Sequence, residues 1–222
     1  MRALFTVAGF SFVAGFVDTV GFIALFGLFT AHVTGNFVLI GASIAGGSLG
    51  ILAKLLALPV FILTVATVTV TVRRGQARSG VNTAAIIIAQ LVFLAAFMVG
   101  GGLLGPFTNP DAWAAIGVGM LGVAAMAIQN AASRLLETGA PPTTIMTGNT
   151  TQAVIDAIDM LRGMAKPGSA QRLRGLLSAT GAFAVGAILG ALGYLGAGYW
   201  CLGLPIFMLL ILAITSKQGS TA

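Results

Sequence analysis

Six long apolar segments, separated by short polar connections, limit what this chain can fold into. They lie at roughly 4–26, 50–72, 83–104, 112–134, 175–195 and 197–215. A helix needs about 20 apolar residues to cross the hydrocarbon core of a bilayer, and each segment is close to that length. With 58% hydrophobic and only 7% charged residues, a water-soluble domain could not bury its apolar surface. The sequence therefore predicts an all-α integral membrane protein.

A repeated triplet, Thr-Gly-Asn, stands at 34–36 and again at 147–149, and a shorter segment follows each copy. The first short segment, 36–47, has about a dozen residues, which as a helix would cover roughly half of a bilayer. The second carries Asp156, Asp159 and Arg162, so it is a poor candidate for a crossing in contact with lipid. We predict that both are re-entrant half-helices, which enter the membrane and return to the same side.

The basic residues decide whether the chain crosses six or eight times, because cytoplasmic loops carry an excess of Lys and Arg. With the N-terminus inside, six spans place every basic residue except Lys54 in the cytoplasm. Eight spans would place Arg73, Arg74, Arg78 and Arg134 outside. We therefore predict six spans in a bacterial inner membrane, with both termini cytoplasmic.

The proline-containing loop 105–111 has no Lys or Arg and divides the chain into two comparable halves, 1–106 and 107–222. Each half holds three predicted spans and one half-helix. Because three is an odd number of crossings, the second half is inserted upside down relative to the first, as in many transporters. The predicted fold class is thus six transmembrane helices plus two re-entrant half-helices in two inverted repeats.

Two titratable residues stand at or near the first span. Asp18 lies inside the first apolar segment, where a charge costs about 2.5–3.5 kcal/mol on insertion scales, so a functional role in holding a proton or cation is the default hypothesis. The alternative is a buried carboxylate held by backbone donors. His32, the single histidine, precedes the first triplet. It is either a proton-linked switch or a neutral ring that is hydrogen-bonded or exposed in the loop.

The asparagines of the two triplets have a local explanation as helix N-caps, with glycine permitting the bend and Gln152 completing a capping box. The alternative is a two-fold solute site between opposed helix N-termini, which would favour an anion or a strongly dipolar solute. Two adjacent amides in the fourth segment either line the solute path or bond to a neighbouring helix. The predicted substrate-binding residues are Asp18, His32, Thr34, Gly35, Asn36, Gln129, Asn130, Thr147, Gly148 and Asn149.

Several functional classes are disfavoured by the residues present. One cysteine and one histidine cannot build a zinc site, and the sequence has no nucleotide-binding loop or nucleophile–base arrangement, so neither an enzyme nor a cofactor is expected. The net charge of +6 is spread between apolar segments, which argues against nucleic acid. The expected partners are a small-molecule solute and membrane lipid. A stripe containing Gly186 and Gly190 would serve packing inside the bundle or a homodimer.

Four motifs, at 14–18, 31–36, 125–131 and 144–149, resemble those of the YoaK-like family of small bacterial membrane proteins, a domain of unknown function. The resemblance covers nearly the whole chain and implies a polytopic inner-membrane protein, but it supplies no substrate. From the residues we expect a transporter of a small solute, coupled to protons or cations through Asp18. A passive small-solute channel and a membrane scaffold without transport are the alternatives.

Overall fold

The computed structural model describes residues 2–46, 50–78, 83–136 and 140–217, and it is helical throughout these ranges apart from short connections. This confirms the all-α prediction. The elements are α1 (Arg2–Ala24), α2 (Gly35–Gly46), α3 (Ile51–Arg78), α4 (Thr83–Leu104), α5 (Trp113–Leu135), α6 (Met146–Leu161), α7 (Ser169–Ala197), a 3-10 helix (Gly198–Leu202) and α8 (Gly203–Lys217).

Five stretches of the described chain are long and apolar enough to cross a membrane, and they indicate a multi-pass membrane protein. The last of them is a run of 46 residues that holds α7, the 3-10 helix and α8. The predicted sixth span, 197–215, is therefore continuous with the fifth in hydropathy, and α8, which provides most of it, has only 15 residues. The stretches are Leu4–Ala24, Ile51–Ala77, Thr83–Leu104, Trp113–Leu135 and Ser169–Ile214.

The second half of α3 contains three threonines that alternate with valines, a pattern more typical of a strand than of a helix. Each hydroxyl donates to the carbonyl four residues earlier: Thr67 to Leu63 at 2.8 Å, Thr69 to Val65 at 2.7 Å, and Thr71 to Thr67 at 2.8 Å. These bonds satisfy the hydroxyls within the helix and leave methyl groups on its surface. Because these three hydroxyls are bonded within α3, the stretch can be helical without a polar partner outside this helix.

The first helices of the two halves, α1 and α5, run in opposite directions. The side chain of Gln129, near the end of α5, donates to the carbonyl of Phe10 in the first half of α1 at 2.8 Å. At the other end, Leu25 packs within 3.4 Å of the position that a Cβ on Gly119 would take. Residues later in the sequence on the α1 side therefore lie beside residues earlier in α5, so the two helices are antiparallel.

Helices α1 and α7 run in the same direction and approach each other more closely than side chains would allow. A Cβ at Gly186 would overlap the carbonyl of Phe12, and a Cβ at Gly190 would lie 2.6 Å from the carbonyl oxygen of Phe16. The small-residue stripe is thus occupied by α1. Of the two uses considered for it, packing inside the bundle is the one observed.

The pairs of helices that pack together also show a regular relation between the halves. Helix α1 packs on α7 and α5 on α3; α5 packs on α4 and α1 on α8; α6 packs on α7 and α2 on α3. Each pair becomes its counterpart when α1 to α4 are exchanged with α5 to α8. The α2 and α6 helices therefore occupy corresponding places in the bundle.

Candidate functional site

Asp18 is buried in the last third of α1, where 4% of its surface is exposed, and its carboxylate binds the loop that follows the helix. Its Oδ1 accepts hydrogen bonds from the backbone amides of Thr30 at 2.8 Å and Ala31 at 2.7 Å, and from the Thr30 hydroxyl at 3.3 Å. Hydrogen bonds to an ionised group are short and strong. The structure therefore contains the arrangement considered as the alternative, a carboxylate held by backbone donors.

The other oxygen of this carboxylate, Oδ2, contacts the Nδ1 atom of His32 at 2.7 Å. The His32 side chain is 36% exposed, and its ring lies edge-on to Phe183 of α7 at a centroid distance of 5.3 Å. The hydrogen bond to Asp18 raises the pKa of His32 above its ordinary value, although partial burial opposes this shift. The Asp18–His32 pair thus joins α1, the loop and α7, and one of its members reaches the surface.

The raised pKa of His32 predicts a pH dependence of stability. Because the folded state favours the charged ring, this contribution is fully present below the unfolded pKa of about 6.5 and is lost as pH rises through the raised folded pKa. We expect His32→Gln to lower the thermal midpoint more at about pH 5.5 than at about pH 9, because the charged ring stabilises the folded protein at the lower pH. Thermal unfolding of both proteins in detergent checks this. A difference that is equal at both pH values would contradict it.

Asn36 uses both ends of its amide to hold the loop before α2. Its Oδ1 accepts from the backbone amide of Phe29 at 3.0 Å, and its Nδ2 donates to the carbonyl of the same residue at 2.9 Å. Since α2 begins at Gly35, Asn36 lies inside the first turn and does not cap it. The N-cap interpretation of the first triplet is wrong because the side chain turns back to a loop residue seven positions earlier.

The second triplet repeats one of these two bonds. Asn149 donates from Nδ2 to the carbonyl of Pro142 at 2.7 Å, again seven positions earlier. Helix α6 begins at Met146, so its first turn includes the triplet, whereas we predicted that the helix would follow it. Its N-cap residue, Ile145, makes no side-chain cap. The capping box is also wrong, because Gln152 donates to Asp156 at 2.8 Å.

The two amides of α5 bond to neighbouring elements. Gln129 accepts from Gln90 of α4 at 2.7 Å and donates to the hydroxyl of Thr143 at 3.3 Å, in addition to its bond to α1. Asn130 accepts from the hydroxyl of Thr144 at 2.6 Å. Of the two roles considered for this pair, bonding to neighbouring elements is the one that these contacts describe.

The two loops before α2 and α6 are bound according to the same plan. Thr30 precedes Asn36 by six positions and is held by Asp18 of α1; Thr143 precedes Asn149 by six positions and is held by Gln129 of α5. Sequence analysis missed both threonines, although their equal offset from the triplets was a signal that could have found them. Among the residues that the structure describes, titratable side chains hold only the first of these two loops.

The structure divides the predicted site residues into two groups. Asp18, His32 and Asn36 surround the loop between α1 and α2, whereas the amides of α5 and Asn149 surround the loop between α5 and α6. Helix α2 packs on α3 and α6 on α7. Between the described residues, no hydrogen bond connects the two triplets, so their facing each other across a two-fold axis stays a prediction. Exposed members are Thr34, Thr147 and Gly148.

Residues 6–215 match the model of a protein family described as "Protein of unknown function (DUF1275)". The chain belongs to this family. The match spans all four motifs on which the resemblance to YoaK-like proteins was based, and so confirms that resemblance. Searches of curated proteins and of solved structures returned no match. In this DUF1275 member, the described residues include no cluster of three or more His, Cys, Asp or Glu side chains that could hold a metal ion.

Proposed function

We propose that this DUF1275 protein transports a small solute across the bacterial inner membrane and that the Asp18–His32 pair couples transport to protons. One observation carries the proposal. The buried Asp18 carboxylate accepts from the backbone of the loop between α1 and α2 through Oδ1, and its Oδ2 contacts the partly exposed imidazole of His32. Ionisable residues within membrane segments commonly mark proton relays and substrate pathways.

The geometry gives this pair a way to act on the fold. Protons reach His32 because its side chain is 36% exposed, while Asp18 is shielded. A change of charge on the pair alters how strongly Asp18 holds the amides of Thr30 and Ala31, since hydrogen bonds to charged groups are worth roughly 1.5–3 kcal/mol and neutral ones about 1. The loop that contains Thr30 and Ala31 leads directly into α2.

The directions of two helix pairs support six spans with both short helices re-entrant. If α2 crossed the membrane, α1 and α5 would be the first and fifth spans and would run in the same direction, but they are antiparallel. If α6 alone crossed, α1 and α7 would be antiparallel, but they are parallel. The corresponding packing of α2 on α3 and of α6 on α7 agrees with inverted repeats divided near 106.

This topology can be tested from outside the cell. In a Cys201→Ser background, we expect Asn109→Cys to react with a membrane-impermeant maleimide on intact cells. Gln76→Cys is expected to react only after the membrane is opened, because the proposal places the end of α3 in the cytoplasm. Eight spans would give the reverse pattern, and that result would exclude re-entrant half-helices.

Solute contact is proposed for the exposed starts of the two short helices. Thr34 is exposed immediately before α2, and an open groove of about 600 Å³ runs along the exposed face of α6, lined in part by Thr147, Thr150 and Thr151. Free amides and the positive end of the helix dipole favour an anion or a strongly dipolar solute there. The buried asparagines position these starts through their bonds to Phe29 and Pro142.

Uptake into liposomes tests the proposal against its alternatives. We expect the purified protein to accumulate one member of a panel of small anions and zwitterions when a pH gradient is imposed, and to lose accumulation when the gradient is collapsed. Equilibration that does not depend on the gradient would indicate the passive channel. No uptake of any panel member, by protein shown to be folded, would indicate the scaffold and overturn transport.

A further inference from the structure

Lys54, in the first turn of α3, is buried with 5% of its surface exposed. Its Nζ atom donates to the carbonyl oxygens of Phe26 at 3.0 Å and Gly50 at 3.2 Å. An ammonium group has three N–H donors. The ion pairs of the described chain do not include Lys54, and Asp111 acts on it electrostatically without direct contact. Two carbonyl dipoles are therefore its direct partners.

This position is unfavourable for a cation in a second respect. Lys54 lies within the first turn of α3, which begins at Ile51, and the N-terminal end of a helix carries a partial positive charge. A buried charge is normally paired, because desolvation otherwise costs several kcal/mol. The ammonium and the helix end together create a positive site that no carboxylate of the described residues contacts directly.

A cavity of about 410 Å³ adjoins the ammonium group. Its volume lies within the range of small-molecule sites, about 300–1,000 Å³. Besides Lys54, its polar lining consists of Ser43 of α2 and Thr108 of the loop between α4 and α5, and its apolar lining includes Leu39, Ala42 and Pro110. A charged group beside an apolar wall matches a ligand that has one anionic end and a short apolar body.

We propose that this cavity binds a small organic monocarboxylate, with the carboxylate on the Lys54 ammonium and the hydrocarbon part against the apolar wall. The ligand supplies an anionic group in direct contact with the ammonium, which the described residues do not. This site is distinct from the Asp18–His32 pair and involves equilibrium binding, which does not depend on transport. In the six-span arrangement it lies at the outer face, where a solute would arrive from outside.

Thermal unfolding in detergent tests the proposal with butyrate as the probe and butyramide as its neutral counterpart. We expect a saturable rise of the wild-type midpoint with butyrate and none with butyramide. Lys54→Met, which keeps most of the length of the side chain and removes its charge, is expected to abolish the rise. Lys166→Met makes the same chemical change at an exposed position and retains it.

Lys54→Met also removes two hydrogen bonds to the backbone, so a second variant guards against misfolding. Leu39→Trp fills the cavity while leaving the Lys54 bonds in place, and it too is expected to abolish the butyrate effect. An equal rise in wild type and both variants, or no rise in folded wild type, overturns the proposal. In a further arm, the thermal midpoint is measured with phosphatidylglycerol and with phosphatidylcholine. A larger, Lys54-dependent rise with phosphatidylglycerol, together with no rise with butyrate, would overturn the assignment to a soluble carboxylate in favour of a lipid headgroup. Because each readout is binding, it is independent of the uptake result.

Discussion

Replacing Asp18 with asparagine is expected to abolish gradient-driven uptake and to lower the stability of the protein by on the order of 2 kcal/mol. The amide keeps the shape of the carboxylate, so Oδ1 can still accept from Thr30 and Ala31. It removes the negative charge that strengthens these bonds and attracts His32. Uptake in liposomes and the thermal midpoint in detergent measure the two effects separately.

Asp159→Asn provides the control, because it removes a carboxylate of α6 that takes no part in the Asp18–His32 pair. We expect it to leave gradient-driven uptake within about twofold of wild type; effects of surface substitutions are usually within about 0.5 kcal/mol. If Asp18→Asn lowered stability but retained gradient-driven uptake, Asp18 would be a structural residue and another group would couple protons.

Substituting Gly186 with alanine is the change expected to damage the bundle most directly. The added Cβ would overlap the carbonyl of Phe12, and a backbone atom cannot move aside without separating α1 from α7. Overpacking of this kind costs about 3 kcal/mol. Since α7 also carries Phe183, which contacts His32, the Asp18–His32 pair would be disturbed as well. Thermal unfolding in detergent gives the loss of stability.

Gly181→Ala is the matched control on the same helix. A Cβ at Gly181 would meet no atom within 4 Å, so the substitution is expected to be neutral or to stabilise α7 by roughly 0.5–1 kcal/mol through helix propensity. We expect Gly186→Ala to lower the thermal midpoint clearly more than Gly181→Ala does. Equal effects would mean that α1 and α7 do not approach each other closely in the folded protein.

The apolar segments predicted where the helices lie, and less accurately where they end. The segment predicted at 50–72 is a helix that continues to Arg78, and the one predicted at 175–195 begins at Ser169. Hydropathy detects the part of a helix that suits lipid, whereas the helix itself continues for one or two turns with polar residues. Backbone hydrogen bonds, and not hydrophobicity, determine these ends.

Two residues of the candidate site could be singled out from the sequence, but their contacts could not. Asp18 and His32 stood out because charged and titratable groups are costly in or near a membrane, and the structure pairs them. The bonds of Asn36 to Phe29 depend on how a loop folds back, which the local cap pattern does not describe. In the sequence, Lys54 served only to indicate the topology. Its burial could not be predicted, because the cavity beside it is lined by three separate parts of the chain.

The central claim is that Asp18 and His32 couple solute uptake to protons. Measuring the proton movement that accompanies uptake tests this claim most directly. Liposomes containing a trapped pH-sensitive dye and the purified protein are exposed to the panel solute that is taken up, with protein-free liposomes as the control for passive permeation. The account predicts that solute entry changes the internal pH in proportion to the amount taken up, and that Asp18→Asn removes this change. Solute entry by the wild type without any change of internal pH would contradict proton coupling through Asp18 and His32.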